Sequence, residues 1–362
     1  MKKKILATSG TAVLLALSLT ACGTTGSNNT TNSTSTNTTT TASSSKKIVA
    51  LLLPDTTSSA RYETQDKPDF EAGVKSLDSS IQVVYENAQG SASTQQQQAE
   101  SAITNGATVL VLDPVDSKAA ATIVTQAAAQ GVKVISYDRM ISNSPVAYYV
   151  SFDNVKVGEL QGQYIADHTK KGGTVVMING AQTDNNGLMF AQGAHKILDP
   201  LFANGTLKKG YESYTPNWDP ANGLREMEQA LTSLNNHVDG VLSANDGLAG
   251  SIIQALKAQG LAGKVPVTGQ DATNAGLHDI MLGLQSMTVY KAVPKEAQAA
   301  AQLAVDIING QKPDSTLVNG SVNNGSIDVP AVLLQPVVVT KSNIQDTVIK
   351  DGFTTMDKIN NP

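Results

Sequence analysis

Polar, charged and aromatic side chains follow the short apolar runs of this chain at six places. These groups are Asp138-Arg139, Asp184-Asn185-Asn186, Asn217-Trp218-Asp219, Asn245-Asp246, Gln270-Asp271 and Lys291. Each sugar hydroxyl both donates and accepts a hydrogen bond, so a carboxylate can take its proton while Asn, Lys or Arg donates to its oxygen. The apolar C–H face of a sugar ring packs on an aromatic plane, a role that suits Trp218 and Tyr62. Together these residue types indicate a site for a sugar.

Each of these residues also has a purely structural explanation. An aspartate or asparagine after a strand is often only a helix N-cap, and the chain's only tryptophan can be a core residue. The Asp138-Arg139 pair can hold a loop as a local ion pair, and Lys291 can be a solvated lysine. The recurrence of such groups after six apolar runs is difficult to explain by capping, and it favours the binding site.

The apolar runs alternate with helical segments, which predicts βαβ units and parallel sheets. The predicted strands are 48–53, 81–85, 109–112, 132–136 and 148–152, followed by 173–178, 210–214, 240–242, 265–268, 287–290 and a late run at 337–340. The predicted helices are 94–105, 118–130, 186–198, 220–234, 248–258, 274–282 and 294–309, and 319–326 is expected to be a surface loop. Two such series predict two α/β domains of one architecture. Open parallel sheets bind ligands at the carboxyl ends of their strands, where the polar groups lie.

The charge and the cysteine content exclude several classes of protein. Removal of residues 1–21, which hold three lysines and no acid, changes the formal net charge from −5 to −8. This excess of acid is a poor match to nucleic acid or anionic lipid. The chain has one cysteine and four scattered histidines, so neither a disulfide nor a metal site is expected, and no cofactor is predicted.

Cys22 is preceded by the features of a secretory signal peptide. Lys2, Lys3 and Lys4 begin the chain, a short apolar stretch covers 12–19, and small residues lead to the cysteine. This pattern resembles the lipobox of bacterial lipoproteins, which predicts a signal peptide over 1–21 and a lipidated Cys22. Residues 22–46, rich in Ser, Thr and Asn, are expected to form a disordered tether. The alternative is a soluble secreted protein in which Cys22 is incidental.

Motifs for catalysis are missing from the expected positions. No Gly-x-Gly-x-x-Gly follows a predicted strand, and neither a phosphate-binding loop nor Gly-x-Ser-x-Gly is present. No histidine lies at a strand end to serve as a base. Paired carboxylates could hydrolyse a glycoside, so a glycosidase stays an alternative, but the sequence predicts that the protein is not an enzyme.

Long motifs connect these residues to a known family. The stretches 132–141, 151–161, 184–186, 269–272, 288–291 and 346–353 are similar to those of the periplasmic sugar-binding proteins of ABC importers, and most similar to the xylose-binding members. The resemblance runs from about Lys47 to Phe353. It implies the α/β type I periplasmic-binding-protein fold, in which two Rossmann-like lobes with parallel sheets are joined by a three-strand hinge and one sugar lies in the cleft.

The resemblance also implies which residues bind the sugar. They are Arg61, Tyr62, Asp138, Arg139, Asp184, Asn186, Trp218, Asn245, Asp271 and Lys291. Tyr62 stands where the family usually has tryptophan. The first loop, 54–70, departs from the family pattern and leaves Asp66 and Lys67 as possible sugar contacts.

These observations predict an extracytoplasmic lipoprotein, held by its lipid on the outer face of the cell membrane or lying in the periplasm. It would capture a monosaccharide, D-xylose foremost, and deliver it to an ABC permease. We expect an N-terminal lobe of 47–155 plus 292–327, a C-terminal lobe of 156–291 plus 328–355, and a monomer.

Three alternatives stay open. The protein could be a sugar-sensing co-receptor for a chemoreceptor or histidine kinase, or it could bind glucose, galactose or arabinose. A LacI-type repressor core would share the fold, but it needs a DNA-binding helix-turn-helix where this chain has its predicted signal peptide.

Overall fold

Strands and helices alternate along residues 46–362, the part of the chain that the computed structural model describes. The strands are β1 Ile48–Leu53, β2 Gln82–Asn87, β3 Val109–Leu112, β4 Lys133–Tyr137, β5 Tyr148–Phe152, β6 Thr174–Asn179, β7 Lys208–Tyr214, β8 Gly240–Ser243, β9 Thr288–Tyr290, β10 Gly320–Asn323, β11 Asp328–Leu334 and β12 Val337–Val339. The helices are α1 Lys67–Leu77, α2 Ala92–Thr104, α3 Ala121–Ala129, α4 Asn154–His168, α5 Asn185–Ala203, α6 Pro220–Ser233, α7 Asp246–Ala258, α8 Asn274–Leu282, α9 Val293–Ile308 and α10 Met356–Asn360. The predicted signal peptide, Cys22 and the tether lie outside the described residues.

The first sheet has seven strands in the order β10-β11-β5-β4-β3-β1-β2, all parallel except β10. Strand β1 is buried along its whole length, because helices cover both faces of the sheet. Ala50 and Leu52 pack in the cluster that contains α2 and α3, whereas Val49 and Leu51 pack in the cluster that contains α1 and α9. The continuous apolar run that predicted this strand therefore reflects burial on two sides.

The second sheet consists of parallel strands in the order β7-β6-β8. Val175 and Met177 pack against α4 and α5 on one face, while Val176 and Ile178 pack in the cluster that contains α6 and α7. The run predicted as a strand at 265–268 contributes only an isolated bridge, between Val241 and Val267. Strand β9 pairs antiparallel with β12 beside it.

The chain crosses between these two groups of elements three times within residues 46–362. The crossings lie between β5 and α4, between β9 and α9, and between β11 and β12. We call β1–β5, α1–α3, α9, β10 and β11 the first lobe, and α4–α8, β6–β9, β12 and α10 the second lobe. The α/β class and the doubled architecture predicted from the sequence are confirmed.

Two expectations about the last part of the chain were wrong. The segment 319–326, expected to be a loop, contains β10, which forms an antiparallel hairpin with β11. Strand β11 pairs with β5, so residues 328–334 lie with the first lobe and not with the C-terminal lobe. Among the described helices, none combines the length and the apolar character needed to cross a membrane.

Helices α4 and α5 cross at contact distance because glycine lies on both of them. A Cβ atom on Gly158 would lie 1.9 Å from the carbonyl oxygen of Phe190, and one on Gly193 would lie 2.0 Å from that of Val155. Backbone atoms cannot move away from an added methyl group as the end of a flexible side chain can. The two glycines therefore set the distance between the helices and the position of Phe190.

We expect Gly158→Ala to lower the free energy of unfolding by about 3 kcal/mol, since the methyl group must push the helices apart. Urea unfolding measures this change. Gly250→Ala is the matched control, because a Cβ there meets nothing within 4 Å and alanine raises helix propensity by up to about 1 kcal/mol. Equal stability of the two variants would contradict the packing argument.

Candidate functional site

A cavity lies between the two lobes. Its walls are formed by Ser58, Ser59, Arg61, Tyr62, Asp138, Arg139, Asp184, Asn186, Phe190, Trp218, Asn245, Gln270, Asp271 and Lys291. All ten residues predicted as sugar ligands are among them, so the structure brings the whole predicted set together. They come from the ends of strands and the loops after them in both lobes.

Three wall residues have left-handed backbone conformations. Asp138 follows β4 with φ 49°, Trp218 precedes α6 with φ 56°, and Asp271 has φ 94°. Such conformations are unfavourable for residues with a Cβ atom, and they persist where the surrounding structure imposes them. The amide of Asp138 donates to the carbonyl oxygen of Val150 and that of Asp271 to the carbonyl oxygen of Val289. These bonds hold the turns that aim both carboxylates into the cavity.

Asp138 is the centre of the charge arrangement. Its Oδ1 lies 3.4 Å from Nζ of Lys291, and its Oδ2 lies 3.5 Å from Nη2 of Arg61 and 3.5 Å from the hydroxyl of Tyr62. Burial acts to raise the pKa of Asp138, but the charges of Arg61, Lys291 and Arg139 outweigh it and lower this pKa to about 2. Asp138 is therefore a carboxylate at neutral pH and accepts hydrogen bonds only.

Lys291 connects the lobes at the second chain crossing. Its Nζ lies 3.4 Å from Asp138 in the first lobe and 3.5 Å from Asp271 in the second. Burial acts to lower the pKa of Lys291, but the nearby carboxylates outweigh it and raise the pKa. The residue is a buried ammonium group with two partners, and not the solvated lysine of the structural alternative.

Trp218 and Arg139 meet at Asp184. The indole Nε1 donates to Oδ2 of Asp184 at 3.0 Å, and Nε of Arg139 lies 3.1 Å from the same oxygen. The tryptophan ring packs edge-on to Phe190 at 6.2 Å, and a Cβ on Gly180 would lie 2.0 Å from it. Glycine at that position thus makes room for the ring in the cavity wall.

Direct hydrogen bonds join the lobes around the cavity. The Nδ2 group of Asn245 donates to the carbonyl oxygen of Ser58 at 3.1 Å, and that of Asn186 to the carbonyl oxygen of Asp138 at 2.9 Å. Asp184 and Asn245 also cap α5 and α7. The capping explanation is therefore correct for these two residues, and both of them also line the cavity.

The structure does not bring the two possible contacts of the first loop to the cavity. Asp66 lies behind Arg61, bonded to its guanidinium and to the hydroxyl of Tyr137. Lys67 points away, over the ring of Tyr85 at 4.1 Å. A helical turn spans Tyr62–Asp66 and leads directly into α1 at Lys67, which carries both residues out of the cleft.

Four wall residues were not among the predicted sugar ligands, namely Ser58, Ser59, Phe190 and Gln270. Gln270 directly precedes Asp271 at a strand end, so its position was available as a signal. Phe190 lies inside α5 and was indistinguishable from a core residue. Within residues 46–362, no group of three or more His, Cys, Asp or Glu side chains is arranged to hold a metal ion.

The periplasmic binding protein domain model matches residues 49–312. The chain is 45% identical over 273 residues to the D-xylose-binding periplasmic protein of Escherichia coli, covering 75% of this chain and 81% of that protein. It is 43% identical over 277 residues to the protein of the same name from Haemophilus influenzae, covering 76% and 82% of the two chains.

Solved structures agree with this match. A carbohydrate transporter solute-binding protein from Chloroflexus aurantiacus, in complex with D-glucose, superposes with a TM-score of 0.78 at 33% identity, covering 86% of this chain and 97% of that one. The chain belongs to the periplasmic binding protein family and has the type I fold. It is close to the sugar-binding proteins of that family, which are transport proteins and not enzymes.

The charge of Asp138 predicts how stability depends on pH. Its pKa is about 2 in the folded protein and about 3.9 in an unfolded chain, so its ionisation contributes about 2–3 kcal/mol above about pH 5, and this contribution is lost progressively as the pH falls towards 2. We expect the stability difference between the wild type and Asp138→Asn to shrink between pH 5 and pH 3. Urea unfolding at each pH tests this, and a constant difference would contradict it.

Proposed function

We propose that this protein captures a monosaccharide, D-xylose foremost, in the cavity between its lobes and delivers it to an ABC permease. The observation that carries the proposal is a set of buried wall atoms without a protein partner. Among the described residues, these atoms include Ser59 Oγ, Arg61 Nη1 and Gln270 Oε1. Buried polar groups normally have partners, and sugar hydroxyls can both donate to and accept from such atoms.

The residue types in the cavity walls support a sugar as the ligand. The walls combine cations, carboxylates and amides with the aromatic rings of Tyr62, Phe190 and Trp218. This combination suits a ring with hydroxyls on its edge and C–H groups on its faces. The names of the curated relatives favour xylose.

Lobe closure is the proposed mechanism of capture. The wall residues belong to both lobes, so a sugar can engage all of them only when the lobes are closed. The sugar then shifts an open–closed equilibrium by its higher affinity for the closed form. The permease would recognise closure because the closed form presents both lobes together. We propose that the receptor works as a monomer. Its first lobe would comprise 47–155, 292–327 and, with β11, 328–334, and its second lobe 156–291 and 335–355.

We also propose that Cys22 carries a lipid that anchors the protein outside the cytoplasm. The support is the sequence pattern before Cys22 and the periplasmic location named for the relatives. Burial of each methylene group contributes about 0.8 kcal/mol, so a multiply acylated cysteine would hold the chain firmly. The anchor would keep the receptor close to its permease.

We expect D-xylose to bind with a Kd of about 1 μM or lower, which corresponds to about −8 kcal/mol. Calorimetry with xylose, glucose, galactose, arabinose and ribose measures this. If another aldose binds more tightly, that aldose and not xylose would be identified as the ligand. Absence of heat with all five would reject the sugar-binding function.

Two variants, measured by the same calorimetry, test whether Trp218 belongs to the sugar site. Trp218→Ala removes the indole from the cavity and the donor to Asp184, so we expect xylose binding at least about 100-fold weaker. Tyr211→Ala truncates a second-lobe aromatic residue whose hydroxyl bonds Gln229 outside the cavity, and its affinity should not change. Wild-type affinity of Trp218→Ala would remove Trp218 from the site.

We expect Cys22→Ser to release the protein from the membrane fraction into the soluble fraction, because serine cannot carry the thioether-linked lipid. Fractionation followed by immunoblotting measures the distribution. Thr24→Ser, a conservative change outside the cysteine position, should stay with the membrane. Membrane retention of Cys22→Ser would refute the anchor.

A further inference from the structure

Arg61 has a guanidinium whose donors divide into two groups. Nε donates to Oδ2 of Asp66 at 3.0 Å, and Nη2 donates to Oδ1 of Asp66 at 2.9 Å and to Oε2 of Glu296 at 3.2 Å. A guanidinium has five N–H bonds, so these contacts use three of them. The remaining two are on Nη1, which is buried and has no protein partner among the described residues. Arg61 is also one of the wall residues of the cavity.

Glu296 is the least obvious of the three acids near this arginine, the others being Asp66 and Asp138. It lies in the first turn of α9, just after the chain crosses at Lys291, and it is completely buried. It does not line the cavity. Its Oε1 has no partner, so its single polar contact among the described residues is with Arg61.

We propose that Glu296 is a positioning residue of the sugar site, acting with Asp66 to fix the Arg61 guanidinium so that Nη1 donates to an oxygen of the bound sugar. This inference rests on the proposed function. Asp66 binds one edge of the planar group, and Glu296 occupies the last hydrogen of Nη2. The geometry then leaves no donor except Nη1 for the ligand.

The residues that orient Arg61 lie within one lobe. Arg61, Asp66 and the helix α9 all belong to the first lobe, so the orientation of Arg61 does not depend on closure. Arg139 differs, because its bond to Asp184 crosses between lobes. An arginine that is oriented before the sugar arrives loses less conformational freedom on binding.

The single side-chain hydrogen bond of Glu296 indicates which substitution is conservative. Only Oε2 of Glu296 accepts from Nη2 of Arg61, and the amide oxygen of glutamine can accept in the same way. Glutamine should therefore replace Glu296, whereas leucine offers similar volume without an acceptor.

The test is a double-mutant cycle on xylose affinity, measured by calorimetry. We expect Glu296→Gln to bind within about threefold of the wild type and Glu296→Leu to bind at least tenfold more weakly. In an Arg61→Lys background, which lacks Nη1, Glu296→Leu should change the Kd by less than about threefold. Glu296→Asp withdraws the carboxyl by one methylene and serves the same comparison if the leucine variant does not fold.

Controls separate this inference from the proposed function. Asp306→Asn changes another buried acid of α9, whose partner is Gln302, and should leave the affinity unchanged. Wild-type affinity in the folded leucine or aspartate variant, or an equal loss in both Arg61 backgrounds, would overturn the positioning role while the wild type still binds xylose. Absence of sugar binding by the wild type would overturn the proposed function and this inference together.

Discussion

The site depends on keeping three cations out of water between the lobes. Arg61, Arg139 and Lys291 are each almost completely buried, and removing one partner from a buried ion pair costs about 3–5 kcal/mol. The side chain of Asp138 forms ion pairs with two of these cations, Arg61 and Lys291. Its carbonyl oxygen also accepts hydrogen bonds from Tyr149, Ser151 and Asn186. Asp138, in its left-handed turn, thereby balances the charge of two cations. It also fixes the end of β4 and makes a contact between the lobes.

This charge arrangement explains why many acids surround a neutral ligand. In the proposed function the cations would donate to sugar oxygens, and each needs a carboxylate behind it to be buried at all. The carboxylates differ in consequence: Asp138, near several cations, has a lowered pKa, whereas burial raises the pKa of Asp184. Burial likewise raises the pKa of Asp113, which lies 3.7 Å from Arg139 behind the cavity. Asp138 and Asp184 thus both line the cavity and pair with cations, whereas Asp113 supports Arg139 from outside the wall.

Much of the fold and the wall of the site could be predicted, and the exceptions have physical reasons. Strands buried on both faces are continuous apolar runs, and polar residues after them must meet at one edge of the sheet. Strand β10 is exposed and rich in Gly, Ser and Asn, so it lacks that signal and was taken for a loop. Because Asp66 lies in the first loop, the sequence indicated it as a possible sugar contact. A helical turn directs it behind Arg61, which only the tertiary structure shows.

The contacts between the lobes bear on how a sugar controls closure. Asn186 donates to the carbonyl oxygen of Asp138 and accepts from Asn154 and Tyr149, and Asn245 reaches Ser58. These bonds need no ligand, so they stabilise the closed form by themselves. A bound sugar would then need to supply only the additional free energy that makes the closed form the dominant one. Within residues 46–362, Ser59, Arg61 and Gln270 keep buried side-chain atoms without a protein partner, so a sugar that bonds to these atoms would favour the closed state.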